Sequence, residues 1–448
     1  MVIVIIGIAI GLWLSLSCGT FFILACALII FVMFGYALPQ EDRSFIFKVI
    51  LVGFAARITL ALLYYYFYLS PGNIDILGPD GDAYSQRGWY ISRLLLGQNP
   101  YALPDVKGSV LESYYSIVEY YKQQMPPIGL YQVGIFTYFM GILFSIFNYC
   151  PLMVKFLNAG LSVLTGVVVY FLGKEVFNAR IGKVSMVVFI FMPSIFLFSI
   201  TALKDPLITF TVSLIILLMV KLQNKFNLFF LVLILGFTIL IESLRSRMVY
   251  PLMLFILSSL LAGLRLKLSR KIIIMLVLIA SCIAVPKFAN LASRIFNLEN
   301  FFSAHIGYIN TPGNNYKIFP DKYYANGRLA GLDPSGILLG FLSGVFHLLF
   351  EPLPGRVDGV FGLIIFLSIS VGYFLIPFVL IGLVSGLKYK KHLIMPLLIF
   401  LVIFLPLVAV SEGNVGTAFR HRDMFMPFFI LLGVMGYFRI KLGKGVLK

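Results

Sequence analysis

Two aspartates separated by a single glycine, Asp80 and Asp82, follow directly after a strongly apolar stretch of the chain. A carboxylate in such a position can act as general base towards a hydroxyl or an amine, or can ligate a divalent metal. Two carboxylates two residues apart can divide those roles. Asp and Gly also favour tight turns, so backbone turn chemistry is an alternative explanation of the pattern. Tyr84 and Arg87 follow on the same segment and are candidates for substrate binding.

A second set of candidate residues is basic and lies at the ends of three apolar segments. Arginine binds a phosphate oxyanion through its planar fork, and lysine supplies a point charge. The same side chains can instead pair with nearby acids or with ordinary lipid phosphates. Asp205, next to one of these cations, is a third candidate carboxylate that could meet the first two in space. The basic set comprises Lys204, Arg245, Arg247, Arg420 and Arg422.

The composition of the chain is that of a polytopic membrane protein. Of its 448 residues, 60% are hydrophobic and only 12% are charged, which lies far outside the range of soluble domains. The net charge of +17 does not indicate nucleic acid as a partner, because the basic residues form short clusters between apolar segments. Such clusters are typical of the cytoplasmic loops of membrane proteins. We therefore expect membrane lipids, and no nucleic acid, among the partners.

The elements that position the candidates are predicted to be transmembrane helices. A helix needs about 17 to 25 apolar residues to span a bilayer. Windows of roughly that kind recur along the chain and predict an all-α fold with about twelve spans. The windows are residues 2–17, 20–37, 49–69, 152–173, 184–202, 206–221, 226–243, 248–264, 272–288, 361–385, 393–411 and 424–438.

Charge decides the treatment of two further apolar segments, 130–149 and 336–352. If neither spans, the basic clusters between helices all fall on one side, which the positive-inside rule identifies as the cytoplasm. We therefore expect both segments to be interfacial or re-entrant elements on the outer side of the cytoplasmic (inner) membrane, with both chain termini in the cytoplasm. The five basic candidates then lie at the outer ends of helices and are exceptions to the positive-inside rule. A basic residue in such a position needs another explanation, and binding of a phosphate is one.

A single integral membrane domain, residues 1–448, is the simplest organisation of the chain. Two long polar segments, 70–151 and 289–360, lie on the outer side, and loops of that length usually are functional or hold structure of their own. The stretch "ESYYSIVEYYKQQM", residues 112–125, has the spacing of an amphipathic interfacial helix. We expect the functional site on this outer face.

Several motifs resemble those of the membrane glycosyltransferases of the GT-C superfamily. An acidic residue followed by a tyrosine, a helix ending in "LLLGQNPY" and then "PPIGLYQ" is similar to the first outer loop of these enzymes. "KFLN", residues 155–158, resembles their Arg/Lys-x-x-Asn helix, and "LGKEVFNARIGK" resembles their following cytoplasmic turn. The similarity extends over residues 48–215. It is closest to the bacterial family 39-like members, which use polyprenyl-phosphate sugars and are related to protein mannosyltransferases and lipid A aminoarabinose transferases.

This resemblance implies an inverting sugar transfer in which a first-loop carboxylate activates the acceptor and a lipid phosphate departs. The basic set would stabilise the negative charge of that phosphate, and Asp205 would orient the acceptor or a divalent metal, Mg or Mn. The acceptor is a glycan, a lipid or a protein. In comparison with the motif of these enzymes, the number of residues to Tyr84 favours Asp80 as the base. The number of residues to Gly97 favours Asp82 instead, so both stay candidates. Many relatives have a second acid directly after the catalytic one, where this chain has Gly81 or Ala83.

Three other functions are compatible with parts of the pattern. A polysaccharide polymerase or ligase of the O-antigen type would depend on the arginines more than on a first-loop carboxylate. A lipid-linked saccharide flippase or other transporter would place charges near the bilayer midplane, for which Arg57 is the main candidate. A noncatalytic assembly subunit would show no turnover when purified.

Overall fold

The computed structural model describes residues 18–37, 40–69, 75–100, 134–263 and 299–443, apart from 312, 326–327, 330 and 354–358. The described part is almost entirely helical, with one antiparallel pair of two-residue strands, β1 (Tyr324–Ala325) and β2 (Arg328–Leu329). Three predicted helices, 2–17, 112–125 and 272–288, lie outside the described residues.

The described helices include most of the predicted apolar windows. They are α1 (Cys18–Ala37), α2 (Gln40–Tyr64, continued by a π-helical turn Tyr65–Leu69), α3 (Pro79–Leu95), α4 (Ile135–Phe147), α5 (Pro151–Val176), α6 (Ala179–Ile190), α7 (Pro193–Phe198), α8 (Asp205–Asn224), α9 (Leu228–Leu244), α10 (Val249–Gly263), α11 (Glu299–Ile309), α12 (Pro334–Phe350), α13 (Gly359–Ser411), α14 (Val415–Arg422) and α15 (Met426–Leu442). Single 3-10 turns follow α9 at Ser246–Met248 and precede β1 at Asp321–Tyr323.

The chain is a helical membrane protein. Among the described residues, four helical stretches are long and apolar enough to cross a bilayer, and α14 with α15, bent by 61°, makes a fifth if the pair is one span. The predicted count of about twelve spans stays a prediction. The four stretches are Gln40–Leu69, Pro151–Val176, Asp205–Asn224 and Ile365–Ser411.

Some predicted elements differ in length or continuity from the structure. The window 184–202 forms two short helices, α6 and α7, because Pro193 lacks the amide hydrogen that a continuous helix needs and instead begins a new one. The windows 361–385 and 393–411 join into α13 through a kink at Lys390. The two ambiguous segments form α4 and α12, which have 13 and 17 residues.

The chain divides into two compact units. The first unit comprises Met1–Val167 and Ile195–Phe210, and the second comprises Val168–Ser194 and Thr211–Lys448. That residues 1–448 form a single integral domain stays a prediction.

Glycines allow the helices of each unit to pack closely. In the first unit α3 packs on α4, where a Cβ at Gly141 would lie 2.6 Å from a methyl carbon of Ile91. In the second unit α13 packs on α15, where a Cβ at Gly382 would lie 1.9 Å from the carbonyl oxygen of Leu432. A Cβ at Gly436 would likewise lie 2.0 Å from the carbonyl oxygen of Phe378. Small residues are the usual means of close helix approach in membranes.

Candidate functional site

In the first unit, the first turn of α3, which carries the two candidate aspartates, lies against the residues that precede α8. A Cβ at Gly81 would lie 3.3 Å from the carbonyl carbon of Ala202, so the backbones meet at this point. The ammonium nitrogen of Lys204 lies 5.5 Å from the ring centre of Tyr84. The structure thus brings Lys204 and Asp205, at the start of α8, to the acidic turn of α3.

Asn158 of α5 holds the chain that leads into α8. Its side-chain nitrogen donates to the carbonyl oxygens of Thr201 and Leu203, each at 2.7 Å. Because both carbonyls lie just before Lys204, these two bonds fix the position from which Lys204 and Asp205 emerge. Asn158 is the asparagine of the "KFLN" motif, so the motif has a structural role in placing the candidate site.

A buried ion pair that the sequence reasoning missed lies next to this turn. Asp75 Oδ2 and Lys155 Nζ are 2.7 Å apart, with side chains 0% and 2% exposed. The other carboxylate oxygen accepts from the backbone N–H groups of Leu77 and Gly78, both at 3.1 Å, and from the Tyr64 hydroxyl at 3.0 Å. Asp75 therefore fixes the backbone that enters α3. Two features of the sequence could have indicated this ion pair. They are the aspartate three residues before Gly78 and the lysine of "KFLN".

The environment of Asp82 differs from that of Asp80, which is exposed. Asp82 is half-buried, and burial raises the pKa of its carboxyl to about 6, with a further increase from the negative charge of Asp75. Lys155 acts in the opposite direction on this pKa. A general base is most effective when its pKa lies near the working pH. The structure thus favours Asp82 over Asp80 as the base.

Two further candidate arginines, Arg57 and Arg87, lie in the first unit. Arg57 is fully buried and donates to the hydroxyls of Ser199 at 2.9 Å and Ser162 at 3.3 Å. Its guanidinium also packs on the Phe196 ring, with the central carbon 4.5 Å from the ring centre. These contacts join α2, α5 and α7, which favours a structural role for Arg57. Arg87, half-buried on α3, shares a helix face with Tyr84 three residues earlier.

In the second unit, three of the predicted phosphate ligands lie around Tyr308 of α11. Burial, and after it Glu412, raises the pKa of the Tyr308 phenol. Positive charges lower the same pKa, and they come from Arg245, Arg247 and Arg420. Arg245 directly follows α9, Arg247 lies in the next 3-10 turn, and Arg420 belongs to α14. We refer to the three arginines and Tyr308 as the arginine cluster.

A buried acid orients Arg245 through a histidine. Glu412 is 1% exposed, and its Oε1 is hydrogen-bonded to His421 Nδ1. The other ring nitrogen, Nε2, contacts the Arg245 guanidinium. Because a guanidinium only donates, Nε2 must accept, and we assign His421 as the neutral tautomer that donates from Nδ1 to Glu412. Thr417 donates to the second Glu412 oxygen at 2.9 Å.

Part of the predicted outer loop 289–360 packs on the same region of the second unit. His305 of α11 is hydrogen-bonded through Nδ1 to the Glu412 carbonyl and through Nε2 to the Tyr324 hydroxyl at 2.8 Å. Burial lowers the pKa of His305 to about 4, so this side chain is neutral at physiological pH. Tyr316 N–H also donates to the Gly413 carbonyl at 2.9 Å. The loop is therefore fixed to the backbone around Glu412.

Arg422, two residues after Arg420, contacts the end of α12. Its side chain is buried and donates to the carbonyl oxygens of Leu349 at 2.9 Å and Glu351 at 3.0 Å. These carbonyls end α12, where a cation satisfies unpaired acceptors and complements the helix dipole. This placement favours a structural role for Arg422 over the predicted phosphate contact.

We expect Arg422→Ala to lower the free energy of unfolding by about 2 to 5 kcal/mol, because two buried carbonyls lose a charged donor. Arg247→Ala removes an exposed cation and should change this free energy by less than about 0.5 kcal/mol. Thermal unfolding in detergent measures both effects. Equal stability of the two variants would show that Arg422 has no structural role.

Among the described residues, no group of three or more His, Cys, Asp and Glu side chains is placed to hold a metal ion. Binding of Mg or Mn by Asp80, Asp82 and Asp205 stays a prediction. The chain matches no protein-family model, no curated protein and no solved structure. The resemblance to the GT-C enzymes rests on the sequence motifs. Of these, "PPIGLYQ" lies outside the described residues.

Proposed function

We propose that the protein is an inverting glycosyltransferase of the cytoplasmic membrane, which moves a sugar from a polyprenyl-phosphate donor to an acceptor on the outer face. The observation that carries this proposal is the setting of Asp82. It is a half-buried carboxylate with a pKa raised to about 6 by burial and by Asp75. The helix start that carries it lies against Ala202, two residues before Lys204, and the Lys204 ammonium lies 5.5 Å from the ring centre of Tyr84. The motif resemblance gives independent support. The apolar helices do so as well, because a polyprenyl tail can pack against them within the bilayer.

In the proposed reaction, Asp82 takes the proton from an acceptor hydroxyl or amine. The acceptor atom attacks the anomeric carbon from the face opposite the phosphate, and the bond between that carbon and the phosphate oxygen breaks. The electron pair stays on the phosphate oxygen, so a polyprenyl phosphate leaves. Lys204 stabilises the charge that develops there, and Asp205 orients the acceptor. The configuration at the anomeric carbon is inverted because a single displacement takes place.

The acidity of Asp82 predicts how transfer depends on pH. A general base must be ionised, so the rate of transfer should fall tenfold per pH unit below about pH 6, where Asp82 becomes protonated. Between about pH 6 and 8 the rate should be nearly constant. Initial rates with saturating donor across this range test the prediction. A rate that is unchanged down to about pH 4, the range of an unperturbed carboxyl, would contradict it.

For the second unit, we propose that the arginine cluster binds the phosphate of a polyprenyl lipid. Its members carry three positive charges that act on one phenol, that of Tyr308. Guanidinium groups are well suited to a phosphate at the membrane surface. This assignment concerns the second unit alone.

Native mass spectrometry of the detergent-purified protein tests the arginine cluster. We expect polyprenyl phosphate or its glycoside to co-purify with the wild type, and its amount to fall at least tenfold in an Arg247→Ala/Arg420→Ala variant. Lys317→Ala is the matched control, because Lys317 is an exposed cation of the same unit that pairs with Asp321. Ordinary phospholipids alone, in equal amounts in all three proteins, would contradict the assignment.

The arginine cluster also supports a second candidate, a polymerase or ligase of the O-antigen type. Such an enzyme would lose activity in the Arg247→Ala/Arg420→Ala variant but keep it in Asp82→Asn. The glycosyltransferase proposal predicts that Asp82→Asn is inactive. Measuring sugar transfer by both variants, after their folding has been verified by thermal unfolding, distinguishes the two functions.

A further inference from the structure

Gln86 is a buried polar residue of the first unit that takes no part in the proposed reaction. It lies on α3, and its side chain is 2% exposed. Among the residues that the structure describes, neither its amide nitrogen nor its amide oxygen has a hydrogen-bond partner. Buried amides nearly always have partners, because an unpaired polar group loses its hydration without compensation. Gln86 therefore requires an explanation.

Two other buried polar side chains, Ser85 and Gln223, each make at least one hydrogen bond. Ser85, the neighbour of Gln86, donates to the Gly81 carbonyl at 2.9 Å. Gln223, a glutamine of the second unit that is 3% exposed, donates to the Ser259 carbonyl at 2.9 Å. The contrast with Gln223 is direct, since the two residues have the same side chain and almost the same burial. A glutamine with both amide atoms unpaired is consistent with a group kept for a ligand.

The position of Gln86 places it beside the proposed base. It follows Asp82 by four residues, and in a helix such residues share a face, with their Cβ atoms about 5 to 6 Å apart. A molecule that is hydrogen-bonded to the Asp82 carboxylate is therefore within reach of the Gln86 amide. Asp82 is half-buried, whereas Gln86 is buried. A ligand would therefore reach Asp82 first and extend along this helix face to Gln86.

The chemistry of an amide restricts the class of ligand. Its nitrogen donates two hydrogen bonds and its oxygen accepts them. A hydroxyl both donates and accepts, so neighbouring hydroxyls of a sugar match the amide at both ends. A phosphate at neutral pH offers mainly acceptors and would leave the amide oxygen unsatisfied. A saccharide thus fits Gln86, whereas a phosphate does not.

We propose that Gln86 binds a hydroxyl of a saccharide acceptor, next to the hydroxyl that Asp82 deprotonates. This inference rests on the proposed function and deepens it, because it selects a glycan from the acceptor classes that the sequence leaves open. Gln86 is then a residue that determines acceptor specificity. Its unpaired amide atoms are satisfied only when the acceptor is bound.

The test compares Gln86→Leu and Gln86→Met with the control Gln223→Leu. The assay uses a synthetic polyprenyl-phosphate hexose as donor and a short oligosaccharide as acceptor, and each variant is also unfolded thermally without substrate. We expect both Gln86 variants to lose about tenfold in kcat/KM for the acceptor, mostly through KM, because a hydrogen bond to the acceptor is lost. Their unfolding temperature should be unchanged or higher, since an unpaired amide leaves the interior.

Gln223→Leu should behave in the opposite way. Its unfolding temperature should fall because the Ser259 carbonyl loses its donor, while kcat/KM per folded molecule stays the same. If the Gln86 variants transfer sugar as well as the wild type, or if they lose activity only in proportion to lost folded protein, the inference about Gln86 is wrong and the proposed function stands. If the wild type itself transfers no sugar from any polyprenyl-phosphate hexose, the proposed function is wrong and the inference fails with it.

Discussion

Replacing Asp82 with asparagine should lower the rate of sugar transfer by about a thousandfold, within the range of roughly 10² to 10⁴ that a general base contributes. Asparagine keeps the size of the side chain but cannot take a proton. Asp80→Asn is the matched control, since it makes the same change two residues away on an exposed side chain, and it should lower the rate less than about tenfold. Initial rates in proteoliposomes with saturating donor measure both variants.

The opposite ranking of these two variants would be equally informative. If Asp80→Asn is inactive and Asp82→Asn is not, the base is Asp80, and the spacing to Tyr84 identifies it better than the distance to Gly97 does. The burial of Asp82 would then serve the helix start rather than the reaction. Both variants need unfolding temperatures close to that of the wild type for this comparison to hold.

Replacing Lys155 with methionine should lower the free energy of unfolding by about 3 to 5 kcal/mol, because it leaves the Asp75 carboxylate buried without its counter-charge. Both side chains of this pair are essentially inaccessible to solvent, at 2% and 0% exposed. Asp75 also holds the backbone that enters α3, so the first turn of that helix should loosen. Chemical or thermal unfolding in detergent measures the loss of stability.

An exposed ion pair of the same protein is the control for Lys155. Lys317 and Asp321 are 2.6 Å apart but 51% and 83% exposed, and Lys317→Met should cost less than about 1 kcal/mol. The double variant Asp75→Asn/Lys155→Met should recover part of the stability, since no buried charge remains unpaired. If Lys155→Met is no less stable than Lys317→Met, the buried pair does not stabilise the first unit.

The helices could largely be predicted from the sequence, because a long run of apolar residues indicates a segment that lies in the bilayer, where it forms a helix. Windows such as 152–173 and 206–221 correspond to α5 and α8 within a few residues. Hydropathy alone could not find the break at Pro193, since both flanking segments are equally apolar. The number of spans could not be fixed either, because α9 and α10, with 17 and 15 residues, lie at the limit of the required length.

The candidate site was only partly predictable, for a different reason. The Asp-Gly-Asp motif is local and therefore visible in the sequence, but Asp75 and Lys155 are 80 residues apart and become a pair only in the fold. Arg420 and Arg422 stand in one "RHR" motif, yet two residues on a helix are separated by about 200° around its axis. Arg420 consequently lies near Tyr308 while Arg422 donates to the carbonyls that end α12.

The release of polyprenyl phosphate from a polyprenyl-phosphate sugar tests the central claim most directly. The purified protein in proteoliposomes would be supplied with a panel of such donors and an oligosaccharide acceptor, and the lipid products would be quantified by mass spectrometry. The proposal predicts that the wild type and Asp80→Asn release polyprenyl phosphate together with a glycosylated acceptor, and that Asp82→Asn releases almost none. Absence of release from every donor, or equal release by the wild type and Asp82→Asn, would contradict it.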